Sequence, residues 1–424
     1  MHKCAETHPS MAAQTDWQQR ALAAEAEVKR LRTRNRELGD ELDLLALANA
    51  DLRSLAAPAA PAPAPAGPPI DSFPALRVHG ACRALHSEPD RTVEQATGAA
   101  NATCVALHGD HGFVMGGADG VVRLHRDGKE PVQHACGSPP LRLAFSPDGC
   151  CVAAGCMDGS VRFLTTDDLC ESGSAEAHLA AVGASPAAAA IAAIEAEEGV
   201  LSELFRKNDH EARIVAVAWG APCGEGEEGV EYLATCARDK TVVIYDANMG
   251  DKLHTLVLPT NPESLCFAGS TELIVYCRGE PFRRHIDCAS TAETRVSLNA
   301  NDWDTHCSFA VLDMAVSPDG TYLVCATDAN KHVVYPLRSN EHARVLVGHS
   351  ADEYANARIA WLGDASVVSN SQDPGLYQWD IGSGKVLTRV ERAHAKSVRD
   401  LAVFDGALAT CSFDKAAKLW SLAA

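Results

Sequence analysis

Positive charge is scarce in this chain of 424 residues: Lys and Arg total 37 against 56 Asp and Glu, for a formal net charge of −19. Such a field repels nucleic-acid phosphates and anionic lipid, which disfavours DNA or RNA as the primary ligand. Long apolar runs are also missing. None approaches the ~20 residues needed to span a bilayer, and Met1-His2-Lys3-Cys4-Ala5-Glu6 is not a basic region leading into an apolar stretch. The expectation is an intracellular protein, cytoplasmic or nuclear, without membrane insertion. No Cys-x-x-Cys pair occurs among the 16 cysteines and no His-rich spacing accompanies them, so a zinc site has nothing to be built from. They are scattered through hydrophobic strings such as Val324-Cys325-Ala326 and Ala234-Thr235-Cys236, and read as reduced core residues. Phosphate-cradling glycine loops, a Gly-x-Ser-x-Gly elbow and metal-binding His pairs are absent as well. The chain is therefore expected to be a non-enzyme with no cofactor. Aromatics are few at 5%, yet 46% apolar residues supply a large core and exclude wholesale disorder.

What is present divides the chain into four parts. Residues 1–14 carry no pattern and are expected to be disordered. Over 15–55 the apolar residues keep a seven-residue repeat, with Ala21, Val28, Asn35, Leu42 and Asn49 at a and Trp17, Ala24, Leu31, Leu38, Leu45 and Leu52 at d. The remaining positions are mostly charged or Ala, so this is a coiled-coil seam rather than a helix packed on a domain. Asn35 and Asn49 pair across a parallel two-stranded axis, and Arg20 with Glu25 and Glu27 with Arg32 attract in that arrangement. A parallel homodimer through Val28, Leu31, Asn35, Leu38, Leu42, Leu45, Asn49 and Leu52 is favoured over a heterotypic coiled coil or a lone helix. Residues 56–72 follow as a Pro/Ala-rich linker, held extended because proline fixes φ and removes backbone donors.

From about residue 100 the sequence resembles itself at intervals near 40. The clearest unit is the last: His394; then Val398, Leu401 and Val403; then Ala407 to Ser412; then Asp414-Lys415; then Ala417-Lys418-Leu419-Trp420. Alternation of apolar with small or polar residues, bounded by turn formers, reads as strand, turn, strand, turn, strand. Asp414 is the anchor of its unit; the anchors in the same place of the others are Asp119, Asp158, Asp239, Glu280, Asp328 and Asp373, and the strand-end place after each of the seven is filled by His125, Leu164, Tyr245, Ile286, Tyr335, Trp379 and Trp420. Seven units result.

The period, the Gly348-His349 opening and the Trp379-Asp380 closing resemble the WD40 repeat family. The resemblance implies an all-β, seven-bladed propeller over 73–424, with a helical coiled-coil segment before it. It implies buried hydrogen-bond sets of His394, Ser412, Asp414 and Trp420 in blade seven and His349, Ser371, Asp373 and Trp379 in blade six. It also implies ring closure by an N-terminal strand, expected at about 75–86. The combination with a coiled coil looks like that of autophagy-16-like proteins, Groucho-type co-repressors and striatins. Receptors for cullin ligases often show Trp-Asp-x-Arg or Trp-Asp-x-Lys, whereas Trp379-Asp380 runs on to Ile381-Gly382.

The interval between Asp158 and Asp239 is twice the others. Ser185-Pro186 reads as a helix start, and Ile191, Ile194, Leu201, Leu204 and Phe205 fall on one helical face, so a helical insertion is expected at about 176–210. Gly224 to Gly229 reads as a solvated hairpin tip.

The expected function is a scaffold or adaptor that binds protein partners on the propeller face. Carried over from the family position by position, partner contacts fall on Met157, Arg238, Gln372 and Phe413 before the anchors. Near inner-strand starts they fall on Arg213, Glu263, Leu312 and Arg399. Arg213 with Arg238 reads as a basic spot suited to an acidic or phosphorylated side chain. The alternatives are a propeller using its channel as an enzyme or small-ligand site, which needs convergent ionisable groups there, and a subunit tethered by a heterotypic coiled coil.

Overall fold

The computed structural model of the chain describes residues 82–109, 112–166, 201, 203–221, 230–300, 307–351 and 356–422. The expected coiled-coil seam from Val28 to Leu52, the Pro/Ala-rich linker, the acidic hairpin tip and most of the helical insertion lie outside them. No helix among the described residues is long and apolar enough to cross a membrane.

Short alternating runs separated by a few turn residues fold back on their neighbours as antiparallel ladders, because so short a link reaches no other partner. The described residues hold twenty-eight strands in seven four-stranded sheets. Blades one to six are sequential, over 102–135, 140–207, 214–257, 262–297, 311–347 and 359–390. Blade seven joins Val398–Phe404, Ala407–Ser412 and Ala417–Trp420 to Arg91–Val93 from the other end of the ring. Each blade's first strand packs on the first strands of both neighbours, with blade seven against blade one, so the ring is closed around a channel.

All seven anchors lie in the turn between the second and third strands of their blades. The strand-end residues that follow are buried without exception, from His125 at 5% exposure to Leu164, Tyr245, Tyr335 and Trp379 at 0%. With so few aromatics, small residues do the packing between blades. Cys151–Cys156 is buried along its whole length, and a Cβ at Gly155 would sit 2.5 Å from Ile214 Cγ2 of the next blade. Glycine is needed there for the sheets to approach. The two Ser-Pro-Asp-Gly segments make turns closed by Gly149 N–H to Ser146 O at 2.9 Å and Gly320 N–H to Ser317 O at 2.8 Å, each glycine in the left-handed region.

Four expectations are corrected. The closing strand is Arg91–Val93, paired with Ala417–Leu419, and not the 75–86 segment. That segment's described part forms no ladder: Leu85 makes a single bridge to Leu422 and buries its side chain in the cluster of Trp420 and Leu408, His86 N–H donates to Ser421 O at 3.2 Å, and Arg83 O and Leu85 N–H meet the Gln378 amide. The helical insertion does not reach 210, because Glu203–Lys207 is the fourth strand of blade two, paired with Val161–Leu164. Leu204 and Phe205 fit a helical face by spacing, but the open ladder groups of the third strand need a partner, and that pairing wins.

In blade seven the hydroxyl that joins histidine to tryptophan belongs to Thr410, not Ser412. His394 sits 2.9 Å from Asp414 Oδ2 and 2.9 Å from Thr410 Oγ1, which also accepts from Trp420 Nε1 at 3.0 Å. Ser412 instead donates to Lys396 O. Blade six forms no such set. His332 of blade five takes the Ser369 hydroxyl at 2.9 Å, and His349 stacks on His332 with ring centroids 3.8 Å apart, with no hydrogen-bond partner for either of its nitrogens among the described residues. Ser371 bonds Ser350, Asp373 accepts from Tyr377, and Trp379 donates to Val347 O. The arrangement of blade seven recurs in blade three as His210, Thr235 and Asp239, with Tyr245 in the tryptophan's place.

Candidate functional site at the channel mouth

Six of the seven innermost strands are irregular at the same place. The register slips between Ala102 and Cys104, Pro140 and Arg142, Ile214 and Ala216, Pro262 and Ser264, Val311 and Asp313, and Val398 and Asp400. A bulge gives two residues where a regular strand has one, and re-aims a side chain. Here the bulged residues Thr103, Leu141, Val215, Glu263, Leu312 and Arg399 all line one cavity of about 290 Å3 at the channel mouth. The residues next to them form the channel's waist, where Arg142, Asp313, Asp400 and, from blade six, Arg358 converge.

Arg213, Arg238, Arg278, Arg358, Arg399 and Arg142 share this mouth with Glu263. Buried Glu263 holds two of them: Arg238 donates to both its oxygens at 2.8 Å, and Arg278 Nε donates at 2.7 Å. Arg358 lies 3.5 Å from Asp313 Oδ1 and 3.5 Å from Asp400 Oδ1. Arg142, Arg213 and Arg399 have no carboxylate at ion-pair distance among the described residues. Arg399 is held by stacking, its guanidinium 4.7 Å from the centre of the Phe413 ring. Burial first, and then the neighbouring Arg142, push its pKa down, while Asp400 opposes the shift.

The waist carboxylates lace the blades together. Asp313 accepts from Ser264 Oγ of blade four at 3.2 Å and from Ile359 N–H of blade six at 3.2 Å, and Asp400 accepts from Val105 N–H of blade one at 3.2 Å. Ionisable groups do converge here, as a channel enzyme requires, but the acids are engaged by backbone and hydroxyl donors of adjacent blades. Burial pushes the Asp313 carboxyl up to about 7; Asp400 adds to the rise, while Arg142 and the Ile359 N–H oppose it.

The folded state therefore keeps a proton that the unfolded chain releases near pH 4, and stability falls as pH rises from about 4 to about 7, then levels. The shift converts to about 4 kcal/mol at most, reduced because a fifth of the side chain faces channel water and Arg358 is close by. Asp313→Asn keeps an acceptor without the charge. Its stability relative to wild type, read from urea melts, is expected to grow by about 2 kcal/mol between pH 4 and 7 and then stay constant. A difference independent of pH would contradict this origin.

Of the residues singled out from sequence, Arg213, Arg238, Glu263, Leu312 and Arg399 line the cavity, and Phe413 borders it through Arg399. Met157 and Gln372 lie in anchor turns outside the cavity lining, Met157 with 54% of its surface exposed. The expected basic spot of Arg213 with Arg238 is altered, since Arg238 is neutralised by Glu263 from the next blade. Arg142, Arg278, Arg358 and Asn356 were not singled out. Arg142 could have been found, because it holds the register position of Asp313 and Asp400. Among the described residues no cluster of His, Cys, Asp and Glu is arranged to hold a metal ion.

The family model described as "WD domain, G-beta repeat" matches residues 131–163 and 300–334. The chain belongs to the WD40-repeat family. Two relatives are named DDB1- and CUL4-associated factor 13. That of Danio rerio is 23% identical over 164 residues, 37% of this chain and 34% of that protein. That of Xenopus laevis is 25% identical over 171 residues, 38% of this chain and 36% of that protein. The chain thus spans about a third of the length of these curated relatives. A chain in the crystal structure of the mitotic checkpoint complex superposes with a TM-score of 0.58 at 15% identity, over 82% of this WD40 chain and 95% of that one, a likeness of fold.

Proposed function

We propose that this WD40 propeller is a non-enzymatic scaffold that binds a protein partner at the arginine-lined channel mouth. Supporting this is the cavity that the inner-strand bulges build, where Arg213, Leu312, Arg399 and the Arg399-Phe413 stack gather on a molecule of opposite net charge. Aromatic and arginine side chains at a concave centre are the composition of an interaction hot spot. The relatives' name, which records association with two other proteins, agrees with a binding role. The residues after Trp379-Asp380 keep the departure from the Trp-Asp-x-Arg pattern, so the partner proposed is not specified by that motif. The heptads of 15–55 are proposed to pair two chains in parallel, which raises the effective concentration at a second partner site.

Quantitative affinity capture from cell extract tests the face. Arg213→Ala with Leu312→Ala and Phe413→Ala is expected to lose partners that wild type retains, while Val257→Ser, on an outer strand where Val257 is 80% exposed, retains them. Identical partner lists for the three proteins would overturn the assignment. Light scattering on the full chain and on one beginning at Asp71, which retains the closing strand, tests pairing; equal numbers of chains per particle would refute it.

A further inference from the structure

Resting on that reading, we infer that the mouth takes a phosphoryl dianion, through Arg142, Arg213 and Arg399. Six arginines meet three acids in this part of the channel, and the acids are already engaged by Arg238, Arg278 and Arg358. Arg142, Arg213 and Arg399 remain in a shared cavity without a carboxylate at ion-pair distance among the described residues, with Asp313 and Asp400 acting on Arg142 only at longer range. Such convergence is unfavourable in the empty site, and an anion relieves it. The fold nonetheless holds the groups in place: Arg399 lies on Phe413, and Arg142 donates to Leu141 O at 2.9 Å. An anion therefore meets guanidiniums already positioned and costs little reorganisation.

Charge and shape choose the anion. A carboxylate brings one charge and two oxygens, which two guanidiniums already saturate at Glu263, where Arg238 is bidentate and Arg278 Nε adds a third bond. A phosphoryl group brings roughly −1.5 to −2 charge and three acceptor oxygens, matching three guanidiniums that have no carboxylate at ion-pair distance among the described residues. The cavity volume of about 290 Å3 corresponds to roughly ten waters, enough for a phosphorylated side chain or a small phosphate compound and too little for a nucleic-acid strand.

The test uses the full chain and two probes: inorganic pyrophosphate by calorimetry, and a fluorescein-labelled phosphoserine peptide beside its serine twin by polarisation. Pyrophosphate is expected to bind, with affinity falling about tenfold or more in Arg142→Gln/Arg399→Gln and unchanged in Val257→Ser. Arg213→Gln, at an exposed rim position, is expected to weaken binding too, and serves if the double variant fails to fold. Preference for the phosphopeptide over its twin, with displacement by pyrophosphate, identifies a phosphorylated side chain as the source. Pyrophosphate binding without that preference identifies a free phosphate compound. Failure of both probes, or equal affinity in wild type and variants, overturns the inference. If captured partners depend on Leu312 and Phe413 but survive phosphatase and excess pyrophosphate, the scaffold reading stands and the phosphoryl site falls.

Discussion

Trp379→Ala is expected to cost about 3–5 kcal/mol of stability, the range for truncating a buried aromatic side chain whose surroundings relax only in part. Trp379 is 0% exposed and lies in one cluster with Ile359, Val367 and Tyr377. His332 and His349 meet its ring edge-to-face, with centroids 5.2 and 5.6 Å away. Three facing side chains cannot all collapse into the space, so a cavity remains. The indole also donates to Val347 O at 3.1 Å, although half-exposed Val347 leaves that carbonyl within reach of water. Urea denaturation followed by circular dichroism gives the midpoint. A control, Val257→Ala at a position 80% exposed, is expected to stay within about 0.5 kcal/mol. A Trp379 loss below about 1 kcal/mol would contradict the packing described for blade six.

Starting the chain at Glu94 is expected to destabilise the ring by about 4–8 kcal/mol, as the sum of lost ladder bonds, one lost core side chain and a stranded polar group. The Arg91–Val93 ladder is short, but what precedes it matters more. Gln378 is 0% exposed; its Oε1 accepts from Leu85 N–H at 2.7 Å and its Nε2 donates to Arg83 O at 2.8 Å. Without those partners the Gln378 amide keeps only the Ser366 hydroxyl, to which Nε2 donates at 3.1 Å, and its Oε1 is stranded; Ala417–Trp420 becomes an open edge that recruits other chains. Size-exclusion chromatography is expected to show association, and a peptide of residues 82–94 added in trans to suppress it. A monomeric truncated chain with an unchanged midpoint would disprove the closing role of this segment.

Repeat spacing carried most of the architecture, because each anchor must sit in a tight turn and each strand-end side chain must fill the space between blades, and both demands restrict residue type. The closing strand was harder to see: Arg91-Thr92-Val93 is too short to alternate visibly, while the segment ending at Leu85 alternates without forming a ladder. Thr410 and Ser412 share one face of their strand, so their spacing cannot say which hydroxyl the histidine meets. In blade six the decisive group, His332, comes from the preceding blade. The same limit hid part of the candidate site. A position-by-position reading takes one residue per inner strand, whereas a bulge turns two adjacent residues into the channel and so brings in Arg142 beside Leu141 at the mouth and Asp400 beside Arg399 at the waist. Nor does spacing reveal that Glu263 reaches across to neutralise Arg238.

Because blade seven is assembled from Arg91–Val93 and Ala417–Trp420, its first-made strand leaves the ribosome more than three hundred residues before its mate exists. Throughout that interval the nascent chain carries a lone β-segment with its hydrogen-bonding groups unspent, and six sectors accumulate without a circle. Translation that halts before Ala417 leaves Arg91–Val93 without its ladder partner, so the join between the beginning of the ring and its end is the last to be made.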